Sequence, residues 1–103
     1  MAETEIKCFS EEEFEFAKWF QVQHAWKKIK CTSYKPSEDK PIHHYFLINL
    51  RTKKELYISF SPFSIICSLI VKNMFGKEKL KDIYVGKKWN ECLIKMEEWW
   101  LNV

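Results

Sequence analysis

The chain has 103 residues, of which 47% are aliphatic or aromatic and 30% charged, with a net charge of +3. That apolar content supports one packed core and excludes a disordered chain, while the length leaves room for a single domain. The charge is modest for an obligate nucleic-acid binder, and it is unevenly spread: residues 1–17 sum to −5, residues 18–54 to +7 and residues 55–103 to +1.

The start is acidic rather than basic and then apolar, so it does not read as a secretory leader. Residues 4–9 suit an edge strand with Ile6 and Cys8 facing inward. Ser10-Glu11-Glu12-Glu13 follows as a capping box, with the Ser10 hydroxyl taking the backbone N–H of Glu13 and the Glu13 carboxylate returning to Ser10. Phe9 and Phe14 flank the cap as a hydrophobic staple, and the three Glu meet the positive end of the helix dipole. A first helix is expected over about residues 10–29, with Phe16, Trp19, Phe20, Val22, Trp26 and Ile29 on its apolar arc. Residues 31–41 hold two prolines and no periodicity, which predicts a mobile surface loop.

The centre of the fold is expected at about residues 42–61, an antiparallel hairpin of two period-2 runs. Phe46, Ile48 and Leu50 should share a dry face with Leu56, Ile58 and Phe60. Tyr45, Asn49, Arg51, Glu55, Tyr57 and Ser59 should then lie on the wet face. Thr52-Lys53-Lys54 is a connection of hairpin length without the Gly that would fix its turn type. Ser61-Pro62 reads as an N-cap with proline at the first helical position, and Gly76 as a helix stop. A second helix is therefore expected over about residues 62–75, buried on most sides, with a buried strand as the alternative. Residues 77–86 read as a basic connection with a brief strand near residues 82–85. A third helix is expected over about residues 87–102, from the stripe Trp89, Cys92, Leu93, Met96, Trp99, Trp100 and Val103. The fold class is thus α+β, a small antiparallel sheet built on a central hairpin and packed by about three helices in one domain.

No catalytic or metal constellation emerges from these residues, and no cofactor is expected. His43 and His44 are neighbours on a strand and point to opposite faces, so they cannot chelate one ion together. Cys8, Cys31, Cys67 and Cys92 form no CxxC pair, which suits reduced thiols in a cytoplasmic protein. Cys67 and Cys92 belong to apolar stripes, which makes them inert; only Cys31, beside Lys30, has surroundings that favour a thiolate. Gly86-Lys87-Lys88 lacks the pattern of a P-loop. The apolar run of residues 63–71 is too short to span a bilayer, and no membrane partner is expected.

Two binding chemistries remain. Aromatic residues and Arg are the usual anchors of protein interfaces, and five Trp in so short a chain exceed what a core hides. The first expectation is a small non-enzymatic intracellular module that occupies a surface of a protein partner, as an accessory or inhibitory factor of the kind mobile elements encode; self-association is compatible with it. The alternative is a single-stranded nucleic-acid binder. There Lys27, Lys28, Lys30, Lys35, Arg51, Lys53 and Lys54 would meet phosphates while Tyr45 and Tyr57 stack on bases.

Overall fold

The computed structural model describes residues 10–25, 29–36 and 42–101. Their order is α1 (Glu11–Ala25), β1 (Ile29–Pro36), β2 (His43–Asn49), β3 (Glu55–Phe60), β4 (Ile65–Lys72), β5 (Glu78–Gly86) and α2 (Trp89–Met96), which runs on as a π-helical turn (Glu97–Leu101). The architecture is α+β: five antiparallel strands in the order β1-β2-β3-β4-β5, with two α-helices on one face. The expected N-terminal edge strand, Phe9, Trp26 and Val103 lie outside the described residues.

The central hairpin forms, but β2 is turned over relative to the sequence expectation. Tyr45 pairs with Ile58 and Leu47 with Leu56, so the buried set is Tyr45, Leu47 and Asn49 with Leu56, Ile58 and Phe60. The expected register placed three residues in the loop; the chain uses four, residues 50–53. One extra loop residue moves the whole of β2 to the opposite face. Asn49 is the cause. Its Oδ1 accepts the N–H groups of Arg51 (2.9 Å) and Thr52 (3.1 Å), while its backbone N–H donates to Lys54 O (2.9 Å). Leu50 is thereby drawn into the turn, and Lys53 takes the left-handed position at φ 65° that a Gly would ordinarily fill.

The expected second helix is strand β4, the alternative reading of that run. Ser61 is not a helix cap: its Oγ accepts the N–H of Ser64 (3.1 Å) and its N–H donates to Ser64 O (2.9 Å), closing the β3–β4 turn. Gly76 is the positive-φ residue (80°) of the β4–β5 turn rather than a helix stop. The first helix is also shorter than expected, because Ile29 opens β1. Cys31 and the residues up to Pro36 belong to that strand instead of a loop. Pro36 is tolerated because β1 is a sheet edge, where no ladder N–H is missed. The basic connection over residues 77–86 is strand β5, and the last helix divides into α2 and the π-helical turn.

The core lies between the helices and the sheet. Phe16, fully buried on α1, has its ring 4.7 Å from Tyr45, 5.1 Å from Phe60 and 5.3 Å from Trp89, so one side chain joins α1, two strands and α2. Burying such a ring contributes about 1.5–3 kcal/mol. From α2 and its extension, Trp89, Cys92, Met96 and Trp100 are buried as their spacing implied, whereas Trp99 is half-exposed. The helices also tie to each other: Glu12 Oε2 accepts the Trp89 N–H at 2.6 Å, so a carboxylate from α1 caps the N-terminus of α2.

Candidate functional site

The expected site residues divide sharply. Lys27 and Lys28 lie outside the described residues. Lys30 is exposed on β1 opposite Ile48, and Lys35 sits in the same strand opposite His44. Arg51 and Lys53 are exposed in the β2–β3 turn. Lys54 is exposed but engaged: its Nζ donates to Trp99 O at 3.0 Å. Tyr57 is half-buried on the sheet face away from the helices. Tyr45 is not with it; the turned-over β2 puts this ring in the core at 1% exposure, which removes it as a stacking platform.

Tyr45 belongs to a buried polar cluster that the sequence did not announce. His43 Nδ1 donates to Glu13 Oε2 at 2.7 Å, and the Tyr45 hydroxyl donates to the same oxygen. Glu13 is fully buried, and His43 and Tyr45 nearly so. The capping half of the Ser10 box is present, with the Glu13 N–H donating to Ser10 Oγ at 3.3 Å. The Glu13 carboxylate Oε2 is held by β2. The available signal was the i,i+3 spacing of Glu13 and Phe16, which places both on the sheet-facing side of α1. A buried hydrogen-bonded cluster of this kind orients α1 on the sheet and offers little surface to a substrate.

The thiols are equally withdrawn. A hydrogen bond with Cys92 and burial between β4 and α2 push the Cys67 thiol far above its ordinary pKa. Cys31 is half-buried and packs against the core. His43 and His44 do face opposite ways, as the strand spacing required. Among the described residues no group of three His, Cys, Asp or Glu is placed to hold a metal ion.

What the fold does present is the sheet face that neither helix covers. Tyr57 lies at its centre, between Phe46 of β2 and Ser68 of β4. Its ring is 5.0 Å from Phe46 and stacks on His44 at 5.8 Å, and its hydroxyl shares a 2.5 Å hydrogen bond with His44 Nδ1. Ile48, Ile66 and Ile70 flank this cluster, each half-buried, and Leu80 and Val85 of β5 are more exposed still. Ser68 Oγ donates to Asp82 Oδ1 at 2.6 Å across that part of the face.

No protein-family model, curated protein or solved structure matches the chain. What it does has to be read from its surfaces. Besides the open face there is a second, at the end of the sheet where two turns meet. A groove of about 440 Å³ runs there between the β2–β3 turn and the end of β4, lined by Lys53, Lys54, Glu55, Leu69, Ile70, Val71 and Lys72. Lys53 and Lys54 thus meet Lys72 at one end, although 18 positions separate Lys54 from Lys72 in sequence. The acidic first turn of α1 sits at the other end, beside His43 and Trp89.

Proposed function

We propose that the protein is a non-enzymatic binding module that works by occupying a surface of a protein partner, as an accessory or inhibitory factor. The observation that carries this reading is the sheet face that no described helix covers, with the ring cluster of His44, Phe46 and Tyr57 at its centre and branched aliphatic side chains around it. A sheet normally covers its apolar face, and a contiguous half-exposed apolar patch is the mark of an interaction site. Rigid aromatic side chains on a strand lose little entropy on docking, which suits them as anchors. The buried state of Cys67, Cys92 and Glu13 supports binding rather than catalysis, since none of these groups reaches a substrate.

The test is affinity purification from the native cell, with and without nuclease, alongside Phe46→Glu and Ile66→Glu. A partner protein should co-purify in stoichiometric amount, survive nuclease and disappear with either variant, and the purified pair should re-form the complex. Release by nuclease, or retention by both variants, would remove the reading.

Single-stranded nucleic acid is the second reading, because Lys30, Arg51 and Lys53 are exposed and Tyr57 is on the open face. It is weaker than the sequence suggested, with Tyr45 in the core and Lys54 engaged with Trp99. Micromolar binding of labelled single-stranded RNA or DNA at physiological salt, lost in an Arg51/Lys53/Lys54 triple Ala variant, would promote it.

A further inference from the structure

The β4–β5 hairpin carries an apolar tip that the fold itself does not use. Met74 is 90% exposed and Phe75 80%, so no packing explains either side chain. The turn that holds them is nonetheless well made. Asn73 Oδ1 accepts the N–H groups of Phe75 (2.9 Å) and Lys77 (3.0 Å), the Gly76 N–H donates to Asn73 O (3.0 Å), and Gly76 supplies the positive φ. Two large apolar groups are therefore held in water at a fixed position. That position lies beyond the end of the strands. The β4–β5 ladder runs to Lys72↔Glu78, two pairs beyond the last β3–β4 pair at Glu55↔Ile70. Met74 and Phe75 lie in the turn beyond this last pair.

Behind the tip comes a tier of cations. Lys72, Lys77, Lys79 and Lys81 are all exposed, and Lys53 stands across the groove from Lys72. Acids stand among them too: Glu78, 3.9 Å from Lys72, Glu55, and the exposed Asp82, Glu97 and Glu98 near Lys81 and Trp99. Lys81 Nζ sits 5.1 Å over the half-exposed Trp99 ring. The exposed Glu11 and Glu15 are carried by α1 at the opposite end of the molecule.

We propose that this end of the sheet docks on an anionic phospholipid surface, with Met74 and Phe75 entering the boundary between headgroups and acyl chains and the lysines meeting lipid phosphates. The order of the groups selects this partner. Apolar side chains lead and cations follow, which is the sequence of environments met on leaving a membrane: acyl, phosphate, water. A nucleic acid presents its phosphates first, and a convex Met-Phe tip gives its bases no platform for stacking. Docking on a surface is separate from crossing a bilayer, and no described helix is long and apolar enough to cross. The tip is remote from the His44, Phe46 and Tyr57 cluster, although Ile70 borders both surfaces, so tip variants and open-face variants let either proposal fail alone.

The experiment is co-sedimentation of the full chain with phosphatidylcholine vesicles, and with vesicles in which about one-third of the lipid is phosphatidylserine. Binding is expected to the second and much weaker to the first. Met74→Ser with Phe75→Ser should lower the partition coefficient about tenfold or more, while Met74→Leu with Phe75→Leu should preserve it. Lys72→Gln, Lys77→Gln and Lys79→Gln should each lower it about fivefold, and Val85→Ser, on the open face, should leave it unchanged. Because both tip residues are exposed, the melting temperature should not move in any of the tip variants. Absence of binding at about millimolar anionic lipid, or binding that survives the double Ser variant, overturns the proposal. So does tip-dependent binding of single-stranded RNA by a chain that ignores the vesicles.

Discussion

Replacing Asn49 by Ala tests the device that sets the register of the sheet. Asn49 is 4% exposed, and its side chain makes three hydrogen bonds. Two peptide N–H groups, those of Arg51 and Thr52, converge on one side-chain atom, which must therefore be the oxygen. The remaining amide nitrogen donates to Trp100 O at 3.4 Å. At about 1 kcal/mol for each well-formed bond, and less for the long one, the substitution should cost about 2–3 kcal/mol. The cost has a second part. Lys54 O accepts both the Asn49 N–H and the Trp100 Nε1–H (3.1 Å), so a loosened turn also releases the fully buried Trp100 indole. Urea unfolding monitored by near-ultraviolet circular dichroism reads both effects. The midpoint should fall, and the tryptophan band should weaken in the folded baseline. Asn49→Asp keeps the turn acceptor but loses the donor to Trp100, so it should weaken the tryptophan band while leaving the hairpin's amide protection largely in place. A loss below about 0.5 kcal/mol in the Ala variant would mean that the turn is set by something other than this side chain.

Three further outcomes are expected. Leu47→Ala should cost about 2–5 kcal/mol and Ile48→Ala clearly less, since only Leu47 faces the core; the reverse order in denaturant midpoints would restore the register read from sequence. Ser10→Ala should cost about 0.5–2 kcal/mol by removing the cap of α1, and an unmoved midpoint would discount that bond. Stability should also fall at alkaline pH. The folded chain holds the Cys67 thiol protonated while the unfolded chain ionises it above about pH 8.5, so stability is full below that pH and is lost above it at about 1.4 kcal/mol per pH unit. Cys67→Ala should flatten this slope in urea titrations at about pH 7.5 and 9.5, and an unchanged slope would assign it to other groups.

The parts of this fold that could be read in the sequence are those where one signal had one meaning. Ser10 with Glu13 marks a helix start, and Trp89, Cys92, Met96 and Trp100 at helical spacing mark a buried stripe; both are where they were expected. The misread parts carry signals with two meanings. Ser61-Pro62 suits a helix cap and a hairpin turn alike, because a hydroxyl that accepts a nearby N–H serves either. Gly76 at positive φ ends helices and also completes hairpin turns. Between them, β4 is apolar on both faces because it faces the core on one side and the uncovered sheet surface on the other, so no period-2 alternation was present to identify it. The tilt of the hairpin's meaning came from a single loop residue, and Asn49, polar and therefore assigned to the wet face, was the residue that set it. Of the candidate site, Tyr57, Arg51 and Lys53 were legible as surface groups. The meeting of the two basic turns was not, since it depends on β4 being a strand.

The strand order has a consequence for how the chain reaches this state. Among the described residues every ladder joins neighbours in sequence, so each strand pair can zip from its own turn without waiting for a distant segment. Hairpins of this kind form in about 1–10 μs, well ahead of the closure that joins the two ends of the chain. That closure rests on contacts such as the Glu12 carboxylate on the Trp89 N–H, 77 positions apart. The rate-limiting barrier should therefore lie in docking α1 and α2 over a sheet already paired, with both of its faces briefly in water. Substitutions at Phe16 or Glu12 would then change the folding rate, and those in the Asn73 turn would scarcely touch it.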